Sequence, residues 1–265
     1  MFLLNSLTIV ILFLLSLVLP VTAFFLPVYK IKKMQNLSIK KNIAVNIVAM
    51  IILTIINPIL LAIYIFFYLS IELLYYYFNK KLPNVKKFDR IVITSIVISF
   101  FMGIFTYLLR DEFIKNINLV MNAYKENMHL TTAEAKELLE YISSNSLNFL
   151  FDYAILCVFF IYIAVDFKNY AKWEISFEWL VLYIIPFFMI RLLKIDNFYT
   201  QNFMQIGQSI FTFYGIKSMY NFISGFSKFK GLNNLLAFIT AIVSPFATFL
   251  IGVVDSFFYK DTEKK

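Results

Sequence analysis

Five polar or small residues, Gln201, Gln205, Gln208, Thr212 and Gly215, recur at spacings of four, three, four and three. Side chains three and four positions apart share one face of an α-helix. They therefore form a line within the otherwise apolar run from Tyr199 to Phe226. In a hydrocarbon environment each polar group costs free energy unless it is paired. Two uses stay open: hydrogen bonds between helices, worth roughly 0.6–2 kcal/mol each, or contact with a bound solute. These five are the candidate ligand-binding residues. A second line, Lys217, Asn221, Ser224 and Lys228, lies nearer the following loop, where lysine stems can snorkel to the interface. A third, Ser244, Thr248, Gly252 and Ser256, repeats every four residues, and Ala237 and Ala241 continue it upstream. Small side chains let helix backbones approach closely. This face packs against another helix of the chain or docks a partner subunit.

Isolated ionisable groups complete the inventory. Asp255 lies near the end of the last apolar run, within reach of Lys260 or water, and Asp152 has Asn148 one turn before it. Glu72 stands beside Tyr75 and Tyr76, close enough to a basic loop to meet a lysine. Signatures of catalysis are missing: there is no Gly-x-Ser-x-Gly, no His-Glu-x-x-His and no phosphate loop ending in Gly-Lys-Ser/Thr. One His (His129) and one Cys (Cys157) exclude an intrachain disulfide and a four-ligand Cys/His zinc site. The expectation is a non-enzymatic protein with no catalytic residues, metal or cofactor.

The elements that carry these residues follow from composition. Hydrophobic residues make up 61% of the 265 and charged residues 15%, well under the roughly 25% usual in soluble domains. Uncharged runs of about 18 or more residues recur, long enough to span a bilayer core, and no alternating strand pattern is sustained. Helices satisfy their own backbone in lipid. The net charge of +8 comes from lysines clustered between the runs, as the positive-inside bias predicts, and not from a nucleic-acid site.

The first run, Phe2 to Tyr29, is broken by Pro20 and Pro27. It reads as a retained first span to Leu19, not a cleaved signal, followed by a bent return. Asn42 to Phe78 would reach about 55 Å as one helix. The turn signal Asn57-Pro58 near its middle predicts a hairpin, which keeps the Lys30–Lys41 and Lys80–Arg90 basic loops on one side. Further spans are expected over Ile91–Leu109, Leu147–Val165, Phe177–Leu193, Tyr199–Phe226 and Leu232–Tyr259. Trp173 and Trp179 are placed at an interface. The polar stretch 110–146 contains a capping-box pair, Thr131 and Glu134, then Ala135, Leu138, Leu139 and Ile142 on one face. An amphipathic helix is predicted there, lying on the bundle or bilayer surface or acting as a lid. The fold class is all-α: one polytopic transmembrane domain, residues 1–265, of about eight spans (seven to nine) with that amphipathic segment outside the bilayer.

Several stretches resemble the YybS-like family of bacterial membrane proteins. They are Leu19-Pro20, Phe25-Leu26-Pro27-Val28, Asn57-Pro58, the helix start Leu130 to Ala135, and Ile251-Gly252-Val253-Val254-Asp255-Ser256-Phe257-Phe258 before a basic tail. That family is similar to the substrate-capturing S components of energy-coupling-factor transporters. The resemblance implies a helical bundle in the bacterial cytoplasmic membrane that binds a small solute without hydrolysing ATP. S components often dock through an Ala-x-x-x-Ala face on their first helix; here Asn5 to Leu19 carries no alanine. The alternative is a structural or regulatory partner of another membrane protein, for example a cyclic-dinucleotide phosphodiesterase.

Overall fold

The computed structural model describes residues 2–19, 22–34, 37–110 and 131–258. Every regular element among them is helical. Helix α1 (Phe2–Val18) is followed by a short α2 (Phe25–Met34) with Pro27 in its first turn, where a missing amide costs least. Helix α3 (Ile39–Ile56) ends at Asn57, whose extended backbone breaks the run. The Asn57 Oδ1 accepts from the Ile59 amide at 2.9 Å and Pro58 takes the first helical position. These two residues start α4 (Pro58–Lys81). The expected hairpin is present, because Tyr64 on α4 reaches back to Asn46 on α3. After α5 (Lys87–Leu108) come α6 (Thr132–Ser144) and α7 (Ser146–Asp166), which continues as a 3-10 turn to Lys172. A 3-10 turn over Phe177–Leu180 leads into α8 (Val181–Arg191); then follow α9 (Phe198–Ser224), α10 (Lys230–Val243) and α11 (Pro245–Phe258).

Three of these helices are long and apolar enough to cross a membrane: α4, α5 and α7 with its extension, of 24, 22 and 27 residues. The α10–α11 pair, bent by 117°, makes a fourth if taken as one broken span. About eight spans were expected. The difference lies where apolar runs do not become single straight helices. Phe177–Leu193 spends its start on a 3-10 turn, leaving 11 residues of α-helix, about 16 Å at 1.5 Å per residue. Leu232–Tyr259 is bent at Ser244-Pro245, where proline offers no amide. Phe2–Tyr29 is divided between α1 and α2. Helix α9 has the length, but its glutamines, Asn202 and Lys217 dilute its apolarity.

Helix α9 is the axis of the C-terminal half and packs on α7, α8, α10 and α11. Glycine makes the approach of α9 and α11 possible at two points. A Cβ on Gly252 would lie 2.0 Å from the Phe211 carbonyl oxygen, and one on Gly215 would lie 2.0 Å from that of Thr248. The core around α9 is aromatic: Phe88, Phe159, Tyr170, Trp173, Phe211 and Tyr214 are buried together. Trp173 is therefore a core residue, 1% exposed, and not the interface anchor expected. Ile9, Phe13, Leu26, Val45, Leu53 and Tyr64 form the N-terminal core. Ile31, Ile71, Ile98, Ala154 and Ile161 join the two halves. The turn into α5 is clamped. Asp89 accepts from the Ser176 amide and hydroxyl and the Trp179 indole, while Arg90 donates to Asn79 and the carbonyls of Pro83 and Val85.

The predicted capping box opens α6: Glu134 accepts from the Thr131 amide at 2.8 Å and the Thr131 hydroxyl accepts from the Glu134 amide. Helix α6 is mostly exposed, with Leu139 and Ile142 half-buried. His129, the rest of 111–130 and the basic tail from 259 lie outside the described residues.

Two expectations follow. Bonds from Thr131 hold the Glu134 carboxyl below its ordinary value of 4.5. A depressed carboxyl contributes stability that is full above the ordinary value and is lost as pH falls through the folded one. Hydrogen-exchange protection at the start of α6 should fall on acidification below about pH 4.5, and Thr131→Val should flatten that dependence. Second, Gly252→Ala should lower the melting temperature in detergent through overpacking of about 1–3 kcal/mol. Gly103→Ala, whose Cβ meets only Leu150 at 4.0 Å, should be neutral or raise it by replacing a mid-helix glycine.

Candidate functional site

Lysine is almost never fully buried unless paired, yet Lys30 on α2 has a side-chain exposure of 0%. Its Nζ meets Glu72 Oε2 of α4 at 2.5 Å. It also donates to the Tyr64 hydroxyl at 2.9 Å and lies 4.9 Å from the centre of that ring. The Tyr64 hydroxyl donates to Asn46 Oδ1 at 2.7 Å, and Asn46 Nδ2 donates to the Asn42 carbonyl and side-chain oxygens. A connected polar chain thus runs from α4 through α2 to α3 inside an apolar bundle. Glu72 lies nine residues before Lys81 on α4, about 14 Å from that basic end.

A local irregularity of α4 aligns these groups. From Tyr64 to Leu69 the helix is π, with bonds to the fifth residue. A wider turn absorbs one extra residue. Glu72, eight positions after Tyr64, then lies roughly where an unbroken α-helix puts the seventh, two turns on and on the same face. The Ser70 hydroxyl donates to the Ile65 carbonyl, five residues back, and supports the irregular turn. Such π turns concentrate at functional sites.

The network borders a cleft of about 480 Å³ between α3 and α4, within the size range of small-molecule sites. Asn42, Asn46, Glu72 and Tyr76 supply its polar wall; Ile43, Ile47, Met50, Leu69 and Leu73 supply the apolar one. Lys80 lies at the basic end and is exposed. The Tyr76 hydroxyl oxygen is buried and has no hydrogen-bond partner among the described residues. The polar wall thus holds a carboxylate paired with Lys30, the Asn46 amide bonded to Tyr64 and Asn42, and the Tyr76 hydroxyl, the group with hydrogen-bonding capacity to spare. Among the described residues no group of three or more His, Cys, Asp or Glu is placed to hold a metal ion.

The residues singled out from the sequence lie elsewhere. Gln201, Gln205, Gln208 and Thr212 are half-buried along α9, and none lines the α3–α4 cleft. Gln201 donates to Asp196 at 2.8 Å, the Thr212 hydroxyl donates to the Gln208 carbonyl, and Gly215 is spent on contact with α11. Thr248, Gly252 and Ser256 are buried and Ser244 is half-buried; Gly252 lies against Phe211 of α9, so this line packs within the chain. Lys217 does not snorkel. It is buried, 3.1 Å from Asp255, which also accepts from Ser218 at 2.7 Å. Asp255 thus pairs across to α9, and Asp152 accepts from Asn148 at 2.9 Å.

Glu72 meets a lysine from the first basic segment, not from the loop next to it. Lys30 and Asn46 escaped sequence reading because Lys30 sits among Lys32 and Lys33 and looks like one more loop cation. The sequence signal was position: Lys30 directly follows the apolar stretch 24–29.

Comparison with protein-family models, curated proteins and solved structures finds no match to this chain.

Breaking a buried ion pair leaves an uncompensated charge and costs about 3–5 kcal/mol, whereas replacing both partners by apolar groups can be nearly neutral. Lys30→Met alone should therefore destabilise the detergent-solubilised chain by roughly that amount. Adding Glu72→Met should restore most of the loss, as read from a double-mutant cycle of denaturant midpoints.

Proposed function

We propose that the chain is a polytopic, non-enzymatic membrane protein that captures a small amphiphilic solute in the α3–α4 cleft. The observation that carries the reading is the buried hydroxyl of Tyr76, a residue lining a cleft that the Lys30–Glu72 network borders, with no hydrogen-bond partner for it among the described residues. An unmet buried hydroxyl costs about 1–3 kcal/mol, and a solute that bonds to it recovers that cost. Its complement is a molecule with a neutral polar end, able both to donate and to accept, and a short apolar body against Ile43, Ile47 and Leu73. The ion pair is neutral as a whole, so a strongly charged solute has no counter-ion deep in the cleft.

Membrane placement rests on α4, α5 and α7 and on the outward apolar surface, where Ile55, Phe100, Leu108 and Ile242 are exposed. The shorter α1, α2 and α8 and the bent α10–α11 pair enter the bilayer partway beside the three longer helices. The lysine-rich ends face the cytoplasm of a bacterial cell. Resemblance to the YybS-like family and, through it, to transporter substrate-capture components points the same way.

Thermal unfolding of the purified chain in detergent, screened against small neutral solutes, uncharged vitamins and nucleobases among them, tests the proposal. A binding solute at 100 times its Kd should stabilise by about 2.7 kcal/mol. Tyr76→Phe should weaken binding about 2- to 10-fold, and Gln205→Ala with Gln208→Ala should leave it unchanged. An absent shift across the screen, or a loss caused by the glutamine variants and not by Tyr76→Phe, sinks the cleft as the site.

A further inference from the structure

A second cavity lies in the seam between the two halves, where α1, α4, α5 and α7 meet, and it holds about 260 Å³. Close-packed interiors contain few voids larger than a water molecule, and an engineered apolar cavity of about 150 Å³ already binds benzene or xenon. Its floor is buried and apolar: Ile71, Ile98, Ala154, Val158 and Ile161. The rim carries Leu17 and Tyr153, both exposed on the lateral surface of the bundle. Water is a poor occupant, because a buried water needs two to four polar partners. The three hydroxyls there are already engaged: Ser16 donates to the Phe13 carbonyl, Tyr68 and Ser16 lie 2.6 Å apart, and the Tyr153 hydroxyl bonds with the Cys157 thiol. With the membrane placement proposed above, the exposed Leu17 and Tyr153 on the rim face hydrocarbon, and what reaches the floor is aliphatic.

From this we infer that the seam cavity is a binding site for a linear aliphatic chain, which enters between Leu17 and Tyr153 and rests on Ala154 and Ile161. The chain belongs to a membrane lipid or to a free fatty alcohol or acid; both present the same methylene chemistry to the floor. An occupant would bridge α1 and α4 of one half to α7 of the other, so its presence stiffens the seam. The site is separate from the α3–α4 cleft and does not depend on a solute binding there.

Cys157, the one cysteine of the chain, lines this cavity and is half-buried. It makes a reporter of occupancy. The full chain, purified in detergent, is alkylated with N-ethylmaleimide with and without 1-decanol. At ten times its Kd, decanol should slow alkylation about tenfold by leaving about a tenth of the molecules unoccupied, and should raise the melting temperature. Ala154→Leu fills the floor and should abolish both effects; Cys157→Leu, read by melting alone, should do the same if Ala154→Leu fails to fold. Tyr76→Phe should leave both effects intact, which separates this site from the solute cleft. Mass spectrometry of an organic extract distinguishes the sources. A phospholipid retained by the wild type and lost in Ala154→Leu identifies an acyl chain; a decanol response without retained lipid identifies a free aliphatic ligand. Unchanged alkylation and melting in decanol with no retained lipid, or a decanol response that survives both filling variants, overturns the proposal.

Discussion

A lysine side chain without access to water must find an anion or give up its charge, and Lys30 is held to that choice by complete burial. The architecture of the N-terminal half follows from how it is met. Glu72 has to come from α4, so α4 must lie beside α2. Tyr64 has to accept from the same ammonium, so α4 must align two groups eight positions apart, which a regular α-helix leaves about 80° out of line. The π turn over Tyr64–Leu69 removes the mismatch. Tyr64 then passes the hydrogen-bond chain to Asn46 and so ties in α3. One buried charge thereby orients three helices, and the cleft beside them inherits the polar groups that the network leaves on its wall.

The C-terminal half is organised by contact distance instead. Backbones of α9 and α11 meet where Gly215 and Gly252 leave no side chain between them. At that separation Lys217 cannot reach out past α11, and Asp255, which also accepts from Ser218, receives it. On the glutamine line Gln201 is used locally, its amide donating to Asp196. The two halves thus differ in kind: a polar network beside an open cleft, and a close-packed axis. The seam where they join has less mutual constraint than either, and the cavity floored by Ala154 lies there.

How much could be read in advance depended on how local the cause was. Asn57-Pro58 acts within three residues: an amide acceptor for Ile59 and a ring that cannot continue the preceding helix. Thr131 and Glu134 likewise meet within one turn. Both were legible, and both are present. The count of membrane-crossing helices was less legible, because apolar composition does not report where a run bends. Leu232–Tyr259 is apolar throughout, yet its two arms differ in direction by 117°. Trp173 illustrates the same limit, since an indole near the end of a run is enriched at interfaces but is equally at home in a core when Tyr162 and Tyr170 close around it.

The amino-acid sequence by itself determined the helical class, the break before Pro58, the cap at Thr131 and the three helical lines of small or polar residues, because each depends on spacing along a single helix. Tertiary structure alone decided which line faces what. Whether Gly252 meets lipid, a partner or α9, and whether Lys30 is a loop cation or a buried one, depends on helices far apart in the chain. No periodicity within one helix encodes the identity of its neighbour. A charge shows its role only when the opposite charge across the bundle is in view.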